Sequence, residues 1–324
     1  MTLSPFPAMA SVPYYRTEQG EAYLGDSLHL LKELPHKSVN LILTSPPFAL
    51  TRKKEYGNKS ADEYVDWFLG FAREFHRILA DDGSLVVDLG GAYLPGIPVR
   101  AIYQFELLVR LCKELGFFLA QEFYHYNPSR LPAPAEWVNV RRIRVKDSVN
   151  VVWWLSVSQW PKADNRKVLK PYSESMRQLL ENGYKAKKRP SGWDISDKFS
   201  KDNAGAIPPN LLSLANTESN SAYLRRCNEA GIKSHPARFP VDFPRFFIDF
   251  LSDEGDVVLD PFAGSNSTGQ AAEMAKRRWL AFEIDETYLK GSMYRFQEVN
   301  DIFPLRSNDA PTIQETTPDE GTTA

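Results

Sequence analysis

Three stretches of this chain hold residues whose types and spacing can do chemistry. The run Asp260-Pro261-Phe262-Ala263-Gly264-Ser265-Asn266-Ser267-Thr268-Gly269 follows an apolar segment with a carboxylate and then with small residues. It reads as a strand turning into a helix, with backbone N–H groups and a helix N-terminus at the carboxyl edge of a sheet. That is where α/β folds bind ligands. A tight turn without a ligand is the plain alternative. A P-loop fits less well: Gly264 and Gly269 have its spacing, but Gln270-Ala271 stands where Lys-Ser/Thr would hold phosphate and Mg²⁺. No G-x-G-x-x-G is present, so dinucleotide binding has little support.

The second feature is Glu283, ending the next strand, Trp279 to Glu283. An acid one strand beyond a Gly-rich turn is placed to accept hydrogen bonds from ribose hydroxyls; a solvated strand-end acid is the ordinary reading. The third is Thr44-Ser45-Pro46-Pro47-Phe48, after the apolar run Val39 to Leu43. Two prolines fix the turn and remove two N–H donors, so carbonyls remain to accept. The Ser45 hydroxyl and the Pro46 carbonyl suit an amino group, and Phe48 offers a π-face to a planar base. Steric termination of a strand is the alternative for Pro46-Pro47.

These features need a scaffold of strands and helices in alternation. Apolar runs predict strands at 39–43, 84–88, 117–124, 149–155, 256–260 and 279–283. Tyr64, Trp67, Phe68, Phe71, Phe75 and Ile78 recur at helical spacing within 61–79. Further helices are expected at 101–115, closed by Gly116, and at 241–251, 268–275 and 286–299. The pattern implies an α/β fold: a mostly parallel sheet with helices on both faces. From Trp160 to His235 the periodicity fades into a loop-rich stretch, anchored by Trp193, Ile195, Phe199, Leu211, Leu212 and Leu214.

At 324 residues, 43% hydrophobic and 25% charged, the chain has the composition of a globular protein rather than a fibrous or disordered one. No apolar stretch is long enough to span a bilayer, and Met1 to Tyr15 lacks the layout of a secretory signal. Cys112 and Cys227 are too few for a disulfide framework, which suits a reducing cytoplasmic setting. His29, His36, His76 and His125 are scattered, so no metal site is expected. The net charge of −2 conceals an asymmetry: residues 128–238 hold twenty Lys and Arg against ten Asp and Glu. A basic middle in an acidic chain suits a polyanion, or is simply a solvated insertion.

Taken together, the motifs resemble those of the β-class amino DNA methyltransferases, which use S-adenosylmethionine (AdoMet). TSPPF resembles the catalytic motif and DPFAGSNSTG the cofactor loop, in the order of that class, with a recognition segment between them. The likeness is closest to cytosine-N4 enzymes and runs through TSPPFALTRKKEYGN, EYVDWF, RIRVKD, FSKDN, IPPNLL and HPARFP, from about Tyr23 to Phe296. It implies a Rossmann-like methyltransferase sheet with a basic, loop-rich DNA-recognition insertion. The expected divisions are a leader at 1–22, a catalytic half at 23–159, a recognition insertion at 160–235, an AdoMet-binding half at 236–303 and a disordered tail at 304–324.

By this resemblance Ser45, Pro46, Pro47 and Phe48 form the target-amine site, and Asp88 matches an acid that assists the serine. Asp260, Phe262, Gly264, Ser265, Asn266 and Thr268 form the cofactor loop, Glu283 the ribose acid, and His235-Pro236 opens a segment closing over the methionine end. The implied reaction moves a methyl group from AdoMet to the exocyclic N4 of a flipped cytosine in duplex DNA, with no metal and no covalent intermediate. Neither cysteine lies in a motif for attack on a cytosine ring. The basic middle then meets DNA. Arg141, Arg142 and Arg144, with Lys146, alternate with apolar residues as in a strand facing phosphate, while Lys187, Lys188 and Arg189, with Lys185, form a second cluster. Arg52, Lys53 and Lys54 follow the catalytic motif and suit phosphates beside the flipped nucleotide. The resemblance also implies a bacterial restriction-modification setting, a companion endonuclease sharing the DNA site, a possible monomer, and CAGCTG as that site. Adenine-N6 methylation and a non-catalytic DNA-binding protein of the same fold remain the alternatives.

Overall fold

The computed structural model describes residues 6–49, 59–183, 201–215, 221–296 and 303–304. Arg52, Lys53, Lys54, Lys185, Lys187, Lys188, Arg189, the anchors Trp193, Ile195 and Phe199, and the tail beyond 304 lie outside the described residues.

The apolar runs form one sheet. Its strands are β1 (Tyr15–Arg16), β2 (Gly20–Leu24), β3 (Val39–Thr44), β4 (Leu79–Leu89), β5 (Phe118–Tyr126), β6 (Val149–Ser156), β7 (Leu211–Ser213), β8 (Val257–Asp260), β9 (Arg278–Glu283) and β10 (Phe303–Pro304). Their order is β10-β1-β2-β9-β8-β3-β4-β6-β5-β7. From β2 to β4 the neighbours are parallel, and β6 then reverses against both β4 and β5. The strand period of two sends alternate residues into two cores. Leu41 and Leu43 of β3 enter one and Ile42 the other; Trp279 and Ala281 of β9 part in the same way from Leu280 and Phe282.

Helices α1 (Ser27–Glu33), α2 (Ala61–Ile78) and α3 (Tyr103–Leu115) cover one face. Helices α6 (Asp242–Leu251) and α7 (Ser267–Met274) cover the other. α2 begins where Ser60 Oγ donates to Glu63 Oε2 at 2.9 Å, which fixes the first turn. Its aromatic stripe then buries Tyr64, Phe68, Phe75 and Ile78 completely. Truncating one such ring, as in Phe68→Ala, costs about 3–5 kcal/mol. α3 stops at Gly116, whose φ of +77° is the left-handed conformation that ends a helix.

The crossover from β3 runs through α2 to β4, while that from β8 runs through α7 to β9 on the opposite side. The strands β3 and β8 are neighbours, so their connections diverge and leave a crevice at their carboxyl ends. An open α/β sheet binds its ligand at such a switch point.

Four expectations differ from what is observed. Residues 140–145 are no strand: a π-helical turn over Glu136–Val140 leads to Arg142 at φ +54°. The guanidiniums there find local partners instead of a ladder, Arg141 with Glu136 and Arg144 with the Pro98 carbonyl. The leader boundary at 22 falls inside β2, and Tyr15 is fully buried, because β1 and β2 extend the sheet beyond β9. The stretch expected at 160–235 as loop-rich also supplies regular elements: β7 pairs with β5, and, after α4 (Glu174–Asn182), α5 (Ala222–Glu229) buries Tyr223 and Cys227. The last helix, α8 (Glu286–Ser292), tightens into a 3-10 turn at Met293–Arg295 where a continuous helix is expected, and 297–299 lie outside the described residues.

Candidate active site

A cavity of about 300 Å³ opens at the switch point, in the size range of small-molecule sites. Its walls come from the loop after β3, the ends of β4, β5 and β6, the segment 235–240 before α6, and the turns after β8 and β9. Two chemically different ends share this space.

At one end is the turn after β8. Gly264 has φ +53°, and a Cβ there would lie 3.1 Å from the His235 ring, so a side chain would be both strained and crowded. The Glu283 carboxylate anchors this turn: Oε2 accepts the Gly264 N–H at 2.7 Å and Oε1 the Asp285 N–H at 2.9 Å. Each oxygen keeps a lone pair for a further donor. Burial raises the Glu283 pKa, and the backbone N–H groups act against that rise. His235 holds the other side of the turn; its Nδ1 meets the Ala237 carbonyl at 2.6 Å. Burial pushes its pKa down to about 4, so the ring is neutral and Nδ1–H is the donor.

Not every residue expected in the cofactor loop faces the cavity. Phe262, Gly264, Ser265, Glu283, His235 and Pro236 line it, whereas Asp260, Asn266 and Thr268 do not. Asp260 lies beneath the turn at 2% exposure. Its Oδ1 accepts from Thr44 Oγ1 and from the Phe262 N–H, both at 3.1 Å, and its Oδ2 accepts from Thr268 Oγ1 at 2.6 Å. Burial pushes its pKa up to about 6 despite these donors. Asn266 caps α7 from φ +55°, its Oδ1 accepting the Gly269 N–H at 2.9 Å while its amide donates to Tyr15 Oη at 3.0 Å. These three hold the loop from beneath.

At the other end are Ser45, Pro46, Pro47 and Phe48 with Asp88. Phe48 lies so close to Gly90 that a Cβ there would come within 2.4 Å of its ring. Asp88, at the end of β4, is 3% exposed and gathers polar groups around one oxygen. Ser45 Oγ donates toward Asp88 Oδ2 at 3.5 Å and Asn150 Nδ2 at 3.4 Å, while His125 Nδ1 stands at 3.8 Å. A serine that gives its proton to Asp88 keeps both lone pairs for an incoming amine.

A DNA methylase family model of the N6/N4 methyltransferase type matches residues 39–294, spanning both ends of the cavity. The chain belongs to this family. The DNA methyltransferase so identified is 55% identical over 291 residues to the Type II methyltransferase M.PvuII of Proteus hauseri, covering 89% of this chain and 87% of that one. It is 26% identical to M.BamHI of Bacillus amyloliquefaciens, over 91% of this chain and 64% of that protein. The solved PvuII DNA methyltransferase, described as cytosine-N4-specific, superposes with a TM-score of 0.74 at 48% identity, covering 91% of this chain and 92% of its own. A Thermus thermophilus modification methylase solved with AdoMet shares the fold at TM-score 0.53 and 19% identity.

This methyltransferase is AdoMet-dependent by family, and the residues present fit that cofactor. The Gly264 cradle admits a close backbone approach, and Glu283 supplies acceptors at the end of β9. Sequence reasoning missed five residues that shape the site. Thr44 and Arg295 act beneath the loop; the Arg295 guanidinium donates to the Ser265 carbonyl at 2.6 Å and to Gln270 Oε1 at 2.9 Å. Asn150, His125 and Arg130 line the target end, where Arg130 Nη1 donates to Asn150 Oδ1 at 2.9 Å. A polar residue among apolar strand neighbours is the one signal that could have found Asn150 and His125. Burial raises both thiol pKa values, at Cys112 and at Cys227, and neither sulfur lines the cavity. Among the described residues no cluster of His, Cys, Asp and Glu could hold a metal, and no helix is long and apolar enough to cross a membrane.

Proposed function

We propose that this methyltransferase transfers a methyl group from AdoMet to N4 of a cytosine flipped out of duplex DNA. The observation that carries this is the 55% identity to M.PvuII, with Ser45-Pro46-Pro47-Phe48 intact at one end of the cavity and Glu283 at the other. AdoMet supplies, when bound, a methyl group already activated on a cationic sulfur.

The chain's own residues do the rest by alignment and electrostatics. Glu283 accepts from ribose hydroxyls, Phe262 and Ile284 flank the purine, and His235-Pro236 closes the methionine side. The cytosine amine is a poor nucleophile because its lone pair is delocalised into the ring. Ser45 Oγ and the Pro46 carbonyl accept its two N–H bonds, which favours a pyramidal nitrogen and stabilises the positive charge that grows on it. Phe48 stacks on the ring, and Asp88 accepts the proton that the methylated nitrogen sheds. A stacked base cannot reach this cavity, so flipping is required.

Arg141, Arg142 and Arg144, the Lys187–Arg189 cluster and Arg52-Lys53-Lys54 serve in this reading as phosphate contacts around the site. The same reading gives a bacterial cytoplasmic enzyme, acting as a monomer on each strand of CAGCTG in turn. A restriction endonuclease shares that sequence. The deciding experiment is transfer of labelled methyl from AdoMet to unmethylated duplex DNA, followed by nucleoside mass analysis. N4-methylcytosine is expected. N6-methyladenine alone would overturn the cytosine assignment, and AdoMet binding without transfer would leave a DNA-binding role.

A further inference from the structure

Among the described residues, three buried side-chain atoms without a hydrogen-bond partner gather at one place. Asp88 Oδ1 and both ring nitrogens of His125 are buried with no hydrogen-bond partner. Native structures rarely leave such atoms unpaired without a use for them. His125 lies on β5 in register with Asn150 of β6 and Leu212 of β7. Its ring stacks on Phe243 of α6, with centroids 4.7 Å apart and planes 25° from parallel. Phe243 is itself fully buried against Phe239 and Phe247, so the imidazole plane is clamped.

We infer that His125 is a positioning residue for amino methylation, which shares with Asp88 the proton released from the target nitrogen. The inference rests on the methyl-transfer reading above. The groups that face His125 define its role. From β4 comes one carboxylate, Asp88, with Oδ2 at 3.8 Å from Nδ1. From β6 comes the neutral Asn150, from β7 the apolar Leu212 and from α6 only phenyl rings. Arg130, after β5, also lines the cavity, and its guanidinium is turned to Asn150.

Three groups thus converge on Asp88 Oδ2 at 3.4–3.8 Å, each a few tenths of an ångström longer than a formed bond. Catalytic hydrogen bonds are often loose before substrate enters and tighten with it. In the step itself the nitrogen lone pair forms the N–C bond, and the C–S pair stays on sulfur. The cationic nitrogen then gives one proton to Asp88, and its N–H electrons return to nitrogen. The acid form of Asp88 donates to a His125 nitrogen, so the pair holds one proton and passes it to water after the product leaves.

The test compares His125→Phe, which keeps the stack on Phe243 without nitrogens, with His125→Gln, which keeps a hydrogen-bonding amide that takes up no proton. Three quantities are read: AdoMet affinity by titration calorimetry, base flipping by 2-aminopurine fluorescence beside the target, and the single-turnover transfer rate from pH 5.5 to 9. Both variants should keep AdoMet affinity and the flipping signal within about threefold, which also reports that they are folded. His125→Phe should slow transfer about a hundredfold, with the acid limb of the rate profile moved to lower pH, toward a carboxylate acting alone. His125→Gln should recover part of the rate without restoring the limb. Unchanged transfer, or a slower rate with the same pH profile, would overturn the assignment. The wild-type product separately judges the cytosine reading, because mass analysis identifies which amine was methylated.

Discussion

Thr44 Oγ1 donates to Asp260 Oδ1 at 3.1 Å, joining residues 216 positions apart across the crevice between β3 and β8. Thr44 directly precedes the target-amine motif, and Asp260 begins the cofactor loop. This hydrogen bond adds a side-chain tie to the β3–β8 pairing that holds the two motifs together. Thr44→Val leaves a similar volume but removes the donor. We expect a loss of about 1–3 kcal/mol in urea unfolding. The transfer rate should fall more than AdoMet affinity, because Thr268 and the Phe262 N–H still hold Asp260.

Stability at acid pH carries two opposed contributions from this site. Asp260 titrates near 6 when folded and near 3.8 when unfolded, so its buried charge costs stability at pH 7. As pH falls through 6 the folded state takes up the proton and recovers that cost, about 3 kcal/mol in full. His235 does the reverse. With a pKa of about 4 folded against 6.5 unfolded, its contribution is lost as pH falls from 6.5 toward 4. Asp260→Asn should therefore steepen the loss of stability between pH 6.5 and 4, and His235→Gln should flatten it. Denaturant midpoints measured across that range for both variants and the wild type check the two signs.

Ser45→Ala and Glu283→Gln should separate the two ends of the cavity. The first removes an acceptor from the reacting amine and should lower the single-turnover rate about a hundredfold, with AdoMet affinity unchanged. The second keeps one acceptor oxygen for the Gly264 N–H but weakens the ribose contact. It should weaken AdoMet binding roughly ten- to a hundredfold, with less effect on the rate at saturating cofactor. Parallel titrations and rapid-quench measurements distinguish them; equal losses in both quantities for Ser45→Ala would make that serine structural.

Gly264→Ala should be damaging far beyond its size. A left-handed φ of +53° costs an alanine about 1–2 kcal/mol, and the new methyl would sit 3.1 Å from the His235 ring. We expect a lower thermal midpoint and weaker AdoMet binding together. Fluorescence-monitored melting with and without AdoMet would show both.

Arg142→Gln tests the basic loop. Arg142 is exposed on the segment between β5 and β6. If it meets a phosphate, the slope of log affinity against log salt should shrink by about 0.9, equally for specific and non-specific duplexes. An unchanged slope would assign the charge to solvent.

Much of this protein was legible in its residues. The strands at 84–88 and 256–260 and the aromatic helix 61–78 follow from local periodicity, because alternation and 3.6-residue spacing are written in neighbouring positions. The placement of Ser45, Gly264 and Glu283 at the cavity was legible for a related reason: each ends a strand or occupies a turn, and the carboxyl edge of a parallel sheet collects such residues wherever the chain places them, whereas Asp88 came through the family resemblance. The strand expected at 140–145 failed because alternating Arg and apolar residues imitate a strand, while Arg141 and Arg144 instead settle on Glu136 and the Pro98 carbonyl. Local pattern does not reveal which partners are near.

The sequence by itself determined the family, the order of the motifs and the chemistry each end of the cavity can perform. The tertiary structure decided which polar side chains share the buried space. Asp260 turned inward to Thr44 and Thr268 rather than toward the cavity, and Arg295 reached back to Ser265 from 30 residues away. His125 and Asn150, on two antiparallel strands, met Asp88 only because β6 lies between β4 and β5. Register and strand order set these distances, and both arise from packing between segments remote in the chain.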